Sequence, residues 1–89
     1  MKIILTQHAK DKFEAIKKAK VKINMDLLKE TLTSPDVVQV DKIDPELTHY
    51  IKKIENKYLR VVCKREERYY KVITFFYDRG FLRKLKKEE

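Results

Sequence analysis

With 89 residues, the chain has room for one domain built around one modest hydrophobic core. Hydrophobic residues make up 43% of it, and no apolar run approaches the ~18 residues of a membrane-spanning helix. The apolar run at the N-terminus is too short for a signal peptide, so we expect a soluble cytoplasmic protein. The single cysteine, Cys63, excludes an internal disulfide and is expected to be a small buried side chain.

The charge balance is strongly basic. Lysine and arginine number 22 against 14 acidic residues, which gives a net charge of +8. Such an excess in so small a domain favours a polyanionic partner, either nucleic acid or an acidic protein. The alternative is a solvated surface of the kind found in hyperthermophile proteins, and the single glycine agrees with it.

The first elements form a strand and a helix. Residues 2–6 predict a short strand, and Thr6 is expected to cap a helix that begins near Gln7 and ends between residues 20 and 22. Apolar positions repeat along this helix at the spacing of one buried stripe. They are Ala9, Phe13 and Ile16.

A second helix follows. Asn24 predicts its N-cap, with Ile23 and Leu28 placed as a hydrophobic staple, and Ser34-Pro35 predicts its end. The side chains expected to face inward are Leu27, Leu28, Thr31 and Leu32. The two helices therefore present apolar stripes that a sheet must cover.

The rest of the chain reads as four consecutive strands at about 37–43, 48–55, 58–65 and 69–77. Strand alternation places Leu59, Val61 and Cys63 on one face of the third, and Arg60 on the opposite face. The alternation in residues 50–54 is broken, which leaves the buried face of that strand open; a β-bulge is one explanation.

We therefore predict an α+β fold of order β-α-α-β-β-β-β, with two N-terminal helices on one face of an antiparallel sheet. Residues 1–80 form the domain. Asp78-Arg79-Gly80 is expected to stop the last strand, and residues 81–89 to form a charged C-terminal tail that frays. Three apolar residues could dock part of that tail: Phe81, Leu82 and Leu85.

Several short motifs together resemble a known family. The opening Gln7-His8-Ala9 with Lys12 and Phe13 is similar to the His-Ala-x-x-Arg-Met opening of a family of small prokaryotic and phage domains of unknown function. Ser34-Pro35-Asp36 after the second helix, Leu-Arg-Val-Val at residues 59–62 and Val-Ile-Thr-x-x-Tyr at 72–77 also match its pattern. That family resembles the BrnT and RelE-like toxins, small ribonucleases of toxin–antitoxin pairs, and the similarity covers about residues 3–80.

The resemblance implies a RelE-like fold and cleavage of RNA without a metal. That reaction needs a base for the 2′-hydroxyl, cations for the phosphorane and an acid for the leaving oxygen. Arg60 is the candidate phosphate stabiliser, and His8 is the candidate titrating group, with Lys12 one turn further along the helix. Tyr77 is expected to orient or stack a base. The additional RNA-binding candidates are Lys53, Lys64 and Arg79.

Each candidate also has an ordinary structural interpretation. Arg60 could cover its neighbours with its stem, His8 could simply hydrogen-bond at a helix start, and Tyr77 could belong to the core. A zinc site is not expected, because His8, His49 and Cys63 lack ligand spacing. No cofactor is expected, and a chain with a single glycine cannot form a glycine-rich phosphate-binding loop.

Three hypotheses follow. The first is a toxin-like, metal-independent endoribonuclease that acts on RNA, including ribosome-bound mRNA, and pairs with an acidic antitoxin-like protein. The second is a non-catalytic RNA- or protein-binding member of the same fold, which Lys12 in place of the family's arginine favours, because lysine cannot grip a phosphate bidentately. The third is an interaction protein whose charge is only a thermophile-type surface. A homodimer is compatible with each.

Overall fold

The computed structural model describes the backbone of residues 2–88 and the side chains of residues 2–85. The chain folds as an α+β domain with three helices and five strands among these residues. In chain order the elements are β1 (Lys2–Leu5), α1 (Gln7–Lys18), α2 (Met25–Thr33), β2 (Val37–Val40), β3 (Leu47–Ile54), β4 (Lys57–Arg65), β5 (Tyr69–Tyr77) and α3 (Arg79–Glu88).

The five strands form one sheet in the order β1-β5-β4-β3-β2. The last four strands form the predicted antiparallel meander. The prediction of a wholly antiparallel sheet is wrong, because β1 pairs with residues 69–72 of β5 in the parallel direction. Parallel neighbours need a long crossover connection, and here the segment from α1 through β4 provides it.

Helices α1 and α2 pack on one face of the sheet over the main hydrophobic core. Both predicted caps are present: the Thr6 hydroxyl accepts from the Ala9 N–H, and the Asn24 side chain accepts from the Leu27 N–H. Where α1 meets β5, the Phe13 and Phe75 ring centroids are 4.5 Å apart. The fully buried core residues around this contact include Ala9, Leu28, Leu59, Val61, Cys63 and Val72.

Helix α1 ends two residues before the predicted range, at Lys18. Lys20 has a left-handed backbone, with φ 58°, and the hydrogen bonds from the Lys20 N–H to the Lys17 carbonyl and from the Val21 N–H to the Ile16 carbonyl complete a Schellman motif. Glycine normally occupies this position. Because lysine occupies it here, the residue type gives no signal that the helix stops.

The broken alternation of β3 has a simple cause. Tyr50 faces the helices and is 7% exposed, while its neighbour Ile51 lies on the opposite face and is fully buried. Both faces of the strand are covered at this point, so both carry apolar residues. The predicted bulge is not in β3: it lies between β4 and β5, where Ile73 is the extra residue opposite Val62 and Cys63.

The predicted C-terminal tail differs from the structure, in which α3 occupies residues 79–88. Asp78 caps the helix, because its Oδ1 accepts from the Phe81 N–H at 2.9 Å. Gly80 was expected to help stop the last strand, but it has no positive φ and lies in the first turn of the helix. Phe81 packs edge-on against Tyr58, with 5.0 Å between ring centroids, on the sheet face opposite α1 and α2.

Candidate nucleic-acid interface

An open groove runs between α1, the end of β5 and α3, and we call it the aromatic groove. Its volume is about 650 Å³. Phe75, Phe76 and Tyr77 form its floor, which follows the edge of β5. Phe75 and Tyr77 lie on the face covered by α1 and α2, and Phe76 lies on the opposite face, where it is 37% exposed. Its apolar walls come from the α1–α2 linker and from the helices on either side. The wall residues are Ile16, Val21, Ile23 and Leu82.

Four cations line the aromatic groove: Lys12, Lys57, Arg79 and Arg83. Asp78 is the single acidic residue among the described residues that line it. Since Asp78 is engaged by an arginine on the other side of the sheet, its charge does not offset that of the four cations. The groove therefore combines positive charge with exposed aromatic surface.

Lys12 reaches across the floor of the groove from α1. Its Nζ lies 5.3 Å from the centre of the Phe76 ring and 5.6 Å from that of Phe75, and it donates to the Thr74 hydroxyl at 3.4 Å. Partial burial lowers the pKa of the Lys12 ammonium below its ordinary value. This side chain is a cation held over aromatic rings in an apolar setting, with easier proton loss than a surface lysine.

Tyr77 closes the end of the groove. Its hydroxyl donates to the Lys22 carbonyl at 2.8 Å, and Lys57 Nζ lies 5.1 Å from the ring centre. Burial, and then the nearby Glu55 carboxylate, raise the pKa of the Tyr77 phenol. The hydroxyl thus holds the α1–α2 linker, and the ring is the part of the side chain that is available to a ligand.

Arg60 lies on the sheet face opposite α1 and α2, as the alternation predicted, but it is only 13% exposed and its charge is engaged inside the protein. Arg60 Nε donates to Asp78 Oδ2 at 2.6 Å, and Nη1 donates to His49 Nδ1 at 2.7 Å. An arginine has no acceptor, so His49 Nδ1 must accept, and the hydrogen on Nε2 is donated to Asp41 Oδ1 at 2.6 Å. We call this chain the Arg60 network, consisting of Asp41, His49, Arg60 and Asp78.

Both carboxylates of the Arg60 network are stabilised in the ionised form. At Asp78, burial opposes ionisation, but the hydrogen bonds from the Phe81 N–H and Arg60 outweigh it and lower the pKa. At Asp41, the N–H of Asp44 is the main cause of a lowered pKa, followed by the bond from His49. Each charge is thus satisfied within the fold.

The seven predicted site residues lie in different parts of the molecule. Lys12, Tyr77 and Arg79 all line the aromatic groove, whereas Arg60 belongs to the internal network. His8 is exposed in the first turn of α1, on the helix-covered side of the sheet. The two remaining residues are on the Arg60 face: Lys53, which is exposed, and Lys64, which lies near Glu46 (3.5 Å) and Glu66 (3.9 Å).

Sequence reasoning missed several residues that the geometry brings forward. His49 and Asp41 complete the Arg60 network, and Lys57 and Arg83 complete the groove's ring of cations. The signal for His49 is in the strand pairing: the β3–β4 register places His49 opposite Val62, which is two residues from Arg60 on the same face of β4. Cys63 is buried as predicted, and burial raises its pKa to about 12.

Within the described residues, no three His, Cys, Asp or Glu side chains are grouped so that they could hold a metal ion. The helices described here include none that is both long and apolar enough to cross a membrane. Comparison with known proteins finds no matching family model, no matching curated protein and no matching solved structure.

Proposed function

We propose that the chain binds single-stranded RNA in the aromatic groove. One observation carries the proposal: two of the groove's four cations face aromatic rings instead of acidic side chains, Lys12 over Phe76 and Lys57 over Tyr77. Single-stranded nucleic acids are bound by this combination, in which cations follow the phosphates and bases stack on exposed rings. The exposed ring of Phe76 is the proposed stacking platform.

The remaining charge of the molecule supports this choice of ligand. The chain carries a net charge of +8, and four of its cations surround an apolar, aromatic floor on which a base can stack. An acidic protein segment would pair with the cations equally well, but it would offer no planar base to stack on the aromatic floor. We also propose an acidic antitoxin-like partner, a relationship to RelE-like toxins and a cytoplasmic location.

The test is the binding of a fluorescent single-stranded RNA, followed by anisotropy at several salt concentrations. The wild type should bind with a log–log salt slope near the number of phosphates contacted, and a double Arg79→Ala, Arg83→Ala variant should lower that slope by roughly 1–2. The matched control is Lys18→Ala, Lys29→Ala, which removes the same charge from exposed helix positions outside the groove. Equal losses in both variants would show that only net charge matters and would defeat the groove assignment.

A metal-independent ribonuclease is the second candidate, and the lowered pKa of Lys12 favours it. In this reaction Lys12 Nζ, in its neutral form, takes the 2′-hydroxyl proton. The 2′ oxygen then attacks phosphorus, the bond from phosphorus to the 5′ oxygen breaks as that oxygen takes a proton from water, and a 2′,3′-cyclic phosphate is left. An arginine of the groove, Arg79 or Arg83, stabilises the phosphorane charge.

Cleavage of free RNA in EDTA, and of mRNA in a translating extract without EDTA, separates the two candidates. Lys12→Arg keeps the cation but cannot act as a base near neutral pH. Loss of cleavage with retained RNA binding in this variant would establish Lys12 as the proton-transfer residue. Binding without cleavage by the wild type would leave RNA binding as the function.

A further inference from the structure

The loop between β3 and β4 lies at the closed end of the aromatic groove. It consists of two residues, Glu55 and Asn56, which connect Ile54 to Lys57. Asn56 lines the groove directly. Burial and then the charge of Glu55 raise the pKa of the Tyr77 phenol, so the Glu55 carboxylate lies near the ring that closes the groove. A base bound at this end of the groove would therefore come close to both side chains.

The residue types of this loop are not explained by the stability of the turn. Glu55 has φ 58°, a left-handed conformation that glycine or asparagine adopts more readily than glutamate. Asn56 stands at the next position, where φ is not positive. Its carboxamide forms no hydrogen bond among the described residues, unlike that of Asn24, so it does not brace the loop as asparagine side chains commonly do. Both side chains are therefore left free at the groove.

The Glu55 carboxylate is unpaired within the part of the chain that the structure describes. It takes part in no hydrogen bond or ion pair there, whereas the carboxylates of Glu14, Glu46 and Glu66 each lie near a lysine. Beside a groove lined by four cations, a free carboxylate repels the phosphates of an RNA strand and lowers the affinity for it. The carboxylate favours binding only where it accepts hydrogen bonds from the RNA.

Guanine is the base that fits this pair of side chains best. Its Watson–Crick edge carries two adjacent N–H donors, on N1 and on the 2-amino group, followed by the carbonyl oxygen O6. A carboxylate accepts two such N–H groups side by side, and the carboxamide of Asn56 can donate to O6. On the same edge of adenine, cytosine or uracil, a single donor group is next to an acceptor, so one carboxylate oxygen would face another acceptor. The ribose 2′-hydroxyl offers one donor only.

We propose that Glu55 and Asn56 bind the Watson–Crick edge of a guanine base at the Tyr77 end of the groove and thereby select guanine at one position of the bound RNA. This selection rests on the proposed function, RNA binding in the aromatic groove, and adds a sequence preference to it. Contacts to phosphates and stacking on rings position a strand but discriminate little between bases. Hydrogen bonds to the edge of an unstacked base supply that discrimination.

Four short single-stranded RNAs test the selection. Each is rich in uridine, and they differ at one central position, which is guanosine, inosine, adenosine or uridine. In titrations followed by fluorescence anisotropy, the wild type should bind the guanosine RNA about tenfold more tightly than the adenosine and uridine RNAs. Inosine lacks the 2-amino group, so its RNA should bind with intermediate affinity.

Two variants remove the carboxylate from the loop. Glu55→Gln should bind the guanosine RNA no more tightly than the others, while its affinity for the uridine RNA should not fall, because a negative charge has left the groove. Glu55→Gly should lose the same preference and be at least as stable as the wild type, since glycine suits φ 58°. The matched control is Glu67→Gln, in the exposed β4–β5 turn, which should keep the preference for guanosine.

The outcomes separate guanine selection from RNA binding itself. Equal affinities of the wild type for all four RNAs, with the salt dependence intact, overturn guanine selection and leave RNA binding in place. A preference for guanosine that survives in both Glu55 variants overturns the assignment to this loop. If the wild type binds none of the four RNAs, both proposals are overturned.

Discussion

The Arg60 network and the aromatic groove use the same kind of side chain for opposite purposes. In the network, Arg60 is 13% exposed and bonds to Asp78 on one side and His49 on the other. In the groove, Lys12 and Lys57 lie over aromatic rings, and the carboxylate that borders the groove is engaged by Arg60. A cation whose partners are internal acids stabilises the fold. A cation whose partners are rings keeps its charge available to a ligand.

This difference reverses one expectation for Arg60. As a phosphate-binding residue, it would be dispensable for folding, and its removal would abolish only activity. Because it is buried between a carboxylate and an imidazole, its removal leaves both without their partner. Substitutions in the Arg60 network should therefore change fold stability, and substitutions in the aromatic groove should change ligand binding.

The largest expected effect is on stability. Arg60→Ala should lower the free energy of unfolding by ~3 kcal/mol, because it leaves the mostly buried Asp78 carboxylate without its positively charged partner. Urea unfolding followed by circular dichroism measures it. Lys53→Ala, an exposed cation on the same sheet face, is the control and should change stability by less than ~0.5 kcal/mol. If Arg60→Ala is as stable as the control but loses RNA binding, the comparison between the two regions fails.

The next effect is on binding. Phe76→Ala should weaken the binding of single-stranded RNA by ~1–2 kcal/mol, because it removes the exposed stacking surface under Lys12. Phe76→Tyr keeps the ring and is the matched control. Anisotropy titration at one salt concentration gives both affinities. Equal affinities of Phe76→Ala and wild type would mean that bases do not stack on this ring.

Acid should weaken the network before it affects the groove. The pKa values of Asp78 and Asp41 are lowered in the folded state, so their stabilisation is present above the ordinary carboxyl pKa of ~4 and is lost as pH falls through the folded values. Asp78→Asn, which can still cap α3, should flatten the fall of stability below about pH 5. Thermal unfolding across pH measures this. Glu67→Gln, in the exposed β4–β5 turn, controls for the loss of one carboxylate.

The smallest expected effect is on stability, at a residue that does not line the aromatic groove. Lys20→Gly should raise the free energy of unfolding by ~0.5–1 kcal/mol, because glycine adopts the left-handed backbone at φ 58° without strain. Lys20 does not line the groove, so RNA affinity should change only as much as for any lost surface charge. Lys18→Gly, at the last residue of α1 where the backbone is still helical, should destabilise instead. Thermal unfolding of both variants shows whether each substitution raises or lowers the free energy of unfolding.

Local sequence signals predicted the elements well where the residue type matches its task. The side-chain oxygens of Thr6 and Asn24 identify them as helix N-caps. The spacing of the apolar residues of α1 is enough to predict which side of the helix is buried. The end of α1 could not be predicted, because Lys20 holds a conformation that its side chain disfavours. Helix α3 was missed since Asp78 reads equally as the end of a strand and as a helix cap, and here it is both.

The site was harder to predict than the fold, because it depends on register. Lys12, Tyr77 and Arg79 were identified from the chain and do line one groove, but Arg60 was assigned to them only by its position in mid-strand. Whether a cation on a strand is free or paired depends on what lies across the sheet. His49 and Asp78 are 11 and 18 residues from Arg60 in sequence. Their meeting follows from strand pairing and from the docking of α3, which no local pattern reveals.

The end of β5 connects the two walls of the groove. Tyr77 holds the α1–α2 linker through the Lys22 carbonyl, and the next residue, Asp78, caps α3. The linker and α3 are the two walls of the groove, so one peptide unit sets the spacing between them. Two hydrogen bonds at neighbouring residues therefore tie both walls of the groove to the end of β5.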